Sequence, residues 1–210
     1  MRMVVVGASG GTGRQLVEQA LALGHEVTAL VRKPHRLPVR HPALRVAAGD
    51  VLDADFLRRE VAGADAVLCA LGHKRWFYPN RILSAGTRNL IAAMRAGGVR
   101  RLVCETSLGV GDSFGRLGLY YTLFVIPFIL PLYYWDKHRQ EREVRASGLD
   151  WVIVRPAALT NGPRRGRTRH GPRVGSWVLT RRVSRADVAD FMLRQLADDA
   201  YLHAAPGVAG

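Results

Sequence analysis

Short apolar runs alternate with longer amphipathic segments along most of the chain. Arg2–Val6, Glu26–Val31, Leu44–Ala48, Asp65–Leu71, Arg101–Glu105 and Asp150–Arg155 read as strands. Several are almost continuously apolar, as strands of a parallel sheet covered on both faces are. Between them the period lengthens. Thr12–Leu23 places Leu16, Ala20 and Leu23 at i, i+4 and i+7, and Asp53–Val61, Asn80–Ala96, Lys137–Ala146 and Ser184–Leu196 also read as helices. Gly97-Gly98 stops the third helix, and Ser184 followed by Asp187 supplies an N-cap and a dipole-favourable acid for the last. The alternation predicts an α/β fold: a doubly wound parallel sheet in one domain over residues 1–210. A substrate-side insert at about 108–135 and a loop at about 160–178 fall outside the regular pattern.

Composition narrows the class without choosing a function. In 210 residues, 48% are hydrophobic and 23% charged, which excludes a disordered chain. The formal net charge is +14, and every basic residue except Lys33, Lys74 and Lys137 is arginine. Such a surface suits a polyanion or a phosphorylated cofactor. No helix-turn-helix, RNA-binding or zinc pattern accompanies it, so no nucleic-acid partner is expected. Cys69 and Cys104 lack metal spacing, the histidines are scattered, and no metal site is expected. The chain opens at once into Met3-Val4-Val5-Val6-Gly7 with no leader pattern, and a cytoplasmic location is the expectation.

The first turn carries the most specific signal. Gly7-Ala8-Ser9-Gly10-Gly11-Thr12-Gly13 lies between the first strand and the first helix, the context a dinucleotide fingerprint requires. Gly7 permits the tight turn, Gly10 lets the backbone approach a pyrophosphate, and Gly13 lets helix and sheet pack closely. The helix N-terminus then offers N–H groups to the phosphates, with Ser9, Gly11 and Thr12 beside them. At the end of the second strand, where a carboxylate would hold the ribose 2′-hydroxyl of NAD, stand Arg32-Lys33 and then Arg36. Guanidinium groups there favour a 2′-phosphate, so the cofactor is expected to be NADP(H). Asp50 and Val51 after the third strand, Leu71 and Gly72 after the fourth, and Pro156 after the sixth complete the expected cofactor crevice of a Rossmann-type sheet.

Taken with Leu30-Val31-Arg32, Arg36-Leu37-Pro38, Gly49-Asp50-Val51, Ala85–Asn89, Ala146–Leu149, Arg185-Ala186-Asp187 and Phe191-Met192-Leu193, these motifs resemble the atypical short-chain dehydrogenase/reductases. Within that group the sequence is most similar to the flavin reductase/biliverdin reductase B type, part of the NmrA-like NAD(P)-binding set. The resemblance runs from about residue 2 to 196 but is poor in 108–135 and 160–178. It implies a reductase that moves hydride from NADPH to a flavin, quinone or related aromatic acceptor, and it places Ser107 beside the nicotinamide. Where that type has a histidine this chain has Ala158, a departure from its substrate-side pattern. Two rivals remain: an NmrA-like sensor that binds NADP(H) without turnover, and an isomerase or dehydratase that recycles the bound cofactor.

For the chemistry, Tyr133 and Lys137 match a Y-x-x-x-K spacing. On a helix the pair shares a face and sets an ammonium beside a phenol, an arrangement suited to general-acid use. The opposing reading ends an aromatic run at Tyr133 and starts the helix with Asp136 as its cap. Leu117–Trp135 holds nineteen residues without a charge, seven of them aromatic. That length meets the threshold for a membrane span, yet flanking strands of one sheet and Pro127 and Pro131 argue against a crossing. A lid over a planar aromatic substrate, an interface, a shallow membrane-surface anchor and a core plug are the alternatives. His73–Tyr78 is expected to form a second, basic and aromatic wall. The arginines from Arg164 to Arg173 read as a solvated loop or as a grip on an anionic substrate. Oligomeric state is not legible.

Overall fold

The computed structural model describes residues 1–73 and 80–210. Its centre is an eight-stranded sheet built from β1 (Arg2–Val6), β2 (Glu26–Val31), β3 (Leu44–Ala48), β4 (Ala66–Cys69), β5 (Arg101–Glu105), β6 (Asp150–Pro156), β8 (Arg169–Gly171) and β10 (Gly207–Ala209). The order is β3-β2-β1-β4-β5-β6-β10-β8, parallel throughout except where β8 runs antiparallel to β10. A separate parallel pair joins β7 (Ala158–Thr160) to β9 (Arg182–Ser184). The strand order reverses between β1 and β4. That switch point opens a crevice at the carboxyl ends of the strands.

Alternation along β1 sends Met3 and Val5 to one face and Val4 and Val6 to the other, and each face has its own core. On the first, Leu16, Val17 and Ala20 of α1 (Gly11–Ala22) meet Val188, Phe191 and Met192 of α5 (Arg185–Arg194). The second face is covered by α2 (Ala54–Val61), α3 (Ile82–Ala96) and the far end of α4 (Pro131–Arg145), through Leu57, Leu90, Met94 and Val144. The doubly wound α/β expectation is met, with strand ends moved by one or two residues and β7 to β10 added.

The expectations for 108–178 are corrected in three places. The charged helix does not begin at Lys137; α4 begins at Pro131, whose fixed φ and missing N–H suit a first helical position. Asp136 therefore does not cap α4. Its buried carboxylate instead accepts from the backbone N–H groups of Leu83 (2.9 Å) and Ser84 (3.2 Å) and from the Ser84 hydroxyl, and so caps α3. The loop 160–178 contains β8, and its Arg165 and Gly166 N–H groups are held by Asp187. As the prolines suggest, no straight helix spans 117–135: Tyr121–Ile129 forms a π-helix containing Pro127, and α4 follows it. Among the described residues no helix is long and apolar enough to cross a membrane, and no His/Cys/Asp/Glu cluster suits a metal.

Candidate active site

At the amino end of the crevice the glycine turn is shaped by contacts that only glycine allows. Gly7 has φ +78°, and a Cβ on it would fall 2.5 Å from the Ala70 carbonyl oxygen. A Cβ on Gly13 would come within 2.8 Å of Ala8 Cα. The first turn of α1 has neither a side-chain cap nor an acidic residue, leaving a site of positive potential. Thr12 turns its side chain inward, its hydroxyl donating to Glu105 at 3.0 Å, so its backbone alone faces the crevice.

Arg185 is a residue that the sequence pattern did not single out for this site. Its arm crosses the turn, where a Cβ on Gly11 would meet its Nε at 2.6 Å, and its Nη1 donates to Asn161 Oδ1 at 2.6 Å. Ser184 caps α5, as expected, and fixes where that arm begins: the Ser184 hydroxyl accepts from Asp187 N–H at 2.9 Å. The signals for Arg185 in the sequence are its place directly after this cap and its membership of the Arg185-Ala186-Asp187 motif.

Farther along the crevice, Arg32 and Arg36 follow β2 as exposed side chains, and no described carboxylate pairs with either. Asp50 is exposed and accepts from Leu52 N–H, while Val51 is buried against Gly86 at the N-terminal part of α3. The cradle, the uncapped helix end and three guanidinium groups together suit the phosphates of a dinucleotide.

Two of the side chains expected to carry chemistry, Tyr133 and Lys137, lie on α4. Because that helix starts at Pro131, Tyr133, Lys137 and Glu141 occupy one face at successive turns. Lys137, 1% exposed, donates to the carbonyls of Leu71 (3.1 Å) and Glu105 (3.0 Å), which pins its ammonium between the ends of β4 and β5. Burial disfavours that charge, but Tyr133, Cys104 and Glu105 outweigh it and raise the Lys137 pKa. Burial likewise pushes the Glu105 carboxyl up, against the pull of Lys137 and the Thr12 hydroxyl. Lys137 Nζ lies 5.8 Å from the centroid of the Tyr133 ring, whose hydroxyl approaches Gly72.

Below this pair a buried network sets the height of α4. Arg155 donates through Nε and Nη2 to Glu141 at 2.9 and 2.6 Å, and the Thr106 hydroxyl joins the same carboxylate at 2.8 Å. Ser107 pairs not with Tyr133 but with its neighbour: its hydroxyl is 3.0 Å from that of Tyr134, and both lie within 3.1 Å of the Leu108 carbonyl. Burial raises the Tyr134 phenol far out of the neutral range, with Ser107 pulling the other way. Pro156, at the end of β6, accepts from Leu108 N–H and closes this side. Of the expected second wall, His73 meets the Tyr133 ring edge-on at 5.0 Å between centroids, and 74–78 lie outside the described residues.

Glycine turn, switch-point crevice and buried lysine define a dinucleotide-binding α/β protein. The NAD(P)H-binding family matches residues 7–199, and the chain belongs to that family. Among curated proteins it is 34% identical over 174 residues to an uncharacterised chloroplastic protein of Arabidopsis thaliana, covering 79% of this chain and 61% of that one. It is 35% identical over 120 residues to a 3-beta-hydroxysteroid dehydrogenase of Mycolicibacterium neoaurum, covering 52% of this chain and 32% of the relative. Its matches thus span less than two thirds of these relatives. Among solved structures, a wide-type short-chain dehydrogenase/reductase of Veillonella parvula in complex with NADP superposes with TM-score 0.83 at 19% identity, covering 100% of this chain and 94% of that one. An anaerobilin reductase of Escherichia coli O157:H7 gives TM-score 0.78 at 23% identity, covering 100% and 97%. These likenesses show the fold.

Proposed function

We propose that the protein is an NADPH-dependent reductase acting on a flavin, a quinone or a related aromatic acceptor. The observation that carries this reading is Tyr133 one helical turn before Lys137, with the lysine ammonium pinned at the strand ends beside the crevice. The nicotinamide, when bound, supplies the hydride. The glycine turn, the α1 N-terminus and Arg185 hold the pyrophosphate, Arg32 and Arg36 take the 2′-phosphate, and Asp50 and Val51 border the adenosine half. Lys137 keeps a positive charge beside Tyr133, whose hydroxyl donates the proton that accompanies hydride onto the acceptor. The resulting phenolate is stabilised by the ammonium until solvent returns a proton. Ser107, held by Tyr134, orients the edge of the acceptor, and His73 and Tyr133 bound it as aromatic walls. The presence of a dehydrogenase and a 3-diazoavenalumate denitrifying reductase among the curated relatives points in the same direction.

The test is NADPH oxidation followed optically against panels of flavins, quinones and polycyclic aromatic ketones, with NADH in parallel. Turnover of one acceptor class, faster with NADPH, is expected. Tyr133→Phe should then lower kcat about 100-fold or more while leaving NADPH affinity within about twofold. Tight NADPH binding with no acceptor reduced overturns the reductase reading and favours a dinucleotide sensor.

A further inference from the structure

The connection from β5 to α4 and the segment after β8 leave a large apolar face uncovered. Leu117–Trp135 contains no charged residue. Only its inward side chains, Leu117, Val125, Ile126 and Tyr134, are buried, so the segment is a core plug on one side alone. On the other side Phe128 is 74% exposed, Phe124 58% and Leu123 53%. The chain around residue 177 is tied alongside, Ser176 N–H donating to the Arg116 carbonyl at 2.8 Å and Leu119 N–H to the Val178 carbonyl at 3.3 Å. It adds Trp177, Val178 and Leu179, exposed by 64%, 65% and 70%. Isolated surface hydrophobes are ordinary, but neighbouring aromatic and aliphatic side chains on two hydrogen-bonded segments mark a docking surface.

Charge selects the occupant. Residues 164–182 include seven arginines and no aspartate or glutamate. Three of them, Arg169, Arg173 and Arg181, line a pocket of about 400 Å³ whose wall also includes Val174 and Gly175, and Gly175 lies two residues before Trp177 in the chain. None of the three has a carboxylate partner among the described residues. Unpaired guanidinium groups next to uncovered aromatic side chains complement an anionic bilayer, phosphate for the former and the acyl boundary for the latter. A second copy of the chain would bring another +14 surface against this one. We infer that this face docks the protein on an anionic phospholipid surface, with the π-helix and Trp177–Leu179 in the interface and the arginine-lined cavity on the headgroup phosphates. The inference does not depend on the reductase reading.

Sedimentation of the full chain with vesicles tests it. Binding to phosphatidylcholine vesicles containing about one third phosphatidylglycerol should exceed binding to phosphatidylcholine alone by about tenfold or more. Phe124→Ser with Phe128→Ser keeps the net charge and should weaken binding to the anionic vesicles about tenfold. Arg173→Ser with Arg181→Ser should do the same, each pair melting normally by circular dichroism. Three outcomes overturn the inference: wild-type protein left in the supernatant, vesicle binding unaffected by the phenylalanine pair (adsorption by charge alone), or a solution dimer that this pair dissociates (coverage by a second copy).

Discussion

Under the proposed function two arginines beside the crevice would meet different phosphates of the dinucleotide, and the difference can be measured. Arg185 crosses Gly11 at the start of α1, where a pyrophosphate common to both nicotinamide dinucleotides would sit. Arg32 follows β2, where only the phosphorylated ribose presents an extra anion. Arg185→Ala should therefore weaken NADPH and NADH together, each by about tenfold, as loss of one charge-assisted contact does. Arg32→Glu should weaken NADPH alone by a similar factor or more and narrow the gap between the cofactors. Titration of both cofactors against both variants checks this. A selective loss of NADPH in Arg185→Ala, or equal NADPH affinity in wild type and Arg32→Glu, would reverse the assignments.

At the scale of elements, α4 organises the site through residues that point in three directions. Lys137 and Glu141 meet the strand ends, Tyr133 meets Gly72 and His73, and Asp136 caps α3. The last contact is testable as stability. Asp136→Ala leaves two buried N–H groups without an acceptor and removes a favourable helix-dipole interaction, at a cost of about 2–3 kcal/mol. Asp136→Asn retains one acceptor oxygen and should lose less. Urea unfolding should rank wild type, Asn and Ala in that order; equal midpoints would deny the cap its structural weight. This contact also shows what sequence could disclose. The strands β1 to β6, the glycine turn and the Ser184 cap are local patterns, so they were legible. The start of α4 was hidden because an uncharged stretch has no polar positions to reveal a helical period, although Pro131 was a usable signal. The strands β7, β8, β9 and β10, three residues each, are too short to show alternation. Asp136 and Leu83, like Ser107 and Tyr134, meet only after the chain has folded.

The whole molecule adds a field that no single contact contains. A +14 surface attracts any anionic ligand, and the attraction extends over about a Debye length, roughly 10 Å at 0.1 M salt. NADPH carries a further phosphate that NADH lacks, so its association rate constant should fall more steeply with ionic strength. Stopped-flow binding between about 0.02 and 0.5 M salt should slow NADPH about tenfold and NADH by clearly less. Arg32→Glu combined with Arg36→Glu separates local from global charge. If the gradient arises from the whole surface, the double variant should lose NADPH affinity yet retain most of the difference in salt slope, because the other arginines remain. Coincident slopes for the two cofactors in wild type would confine the electrostatics of recognition to the crevice itself.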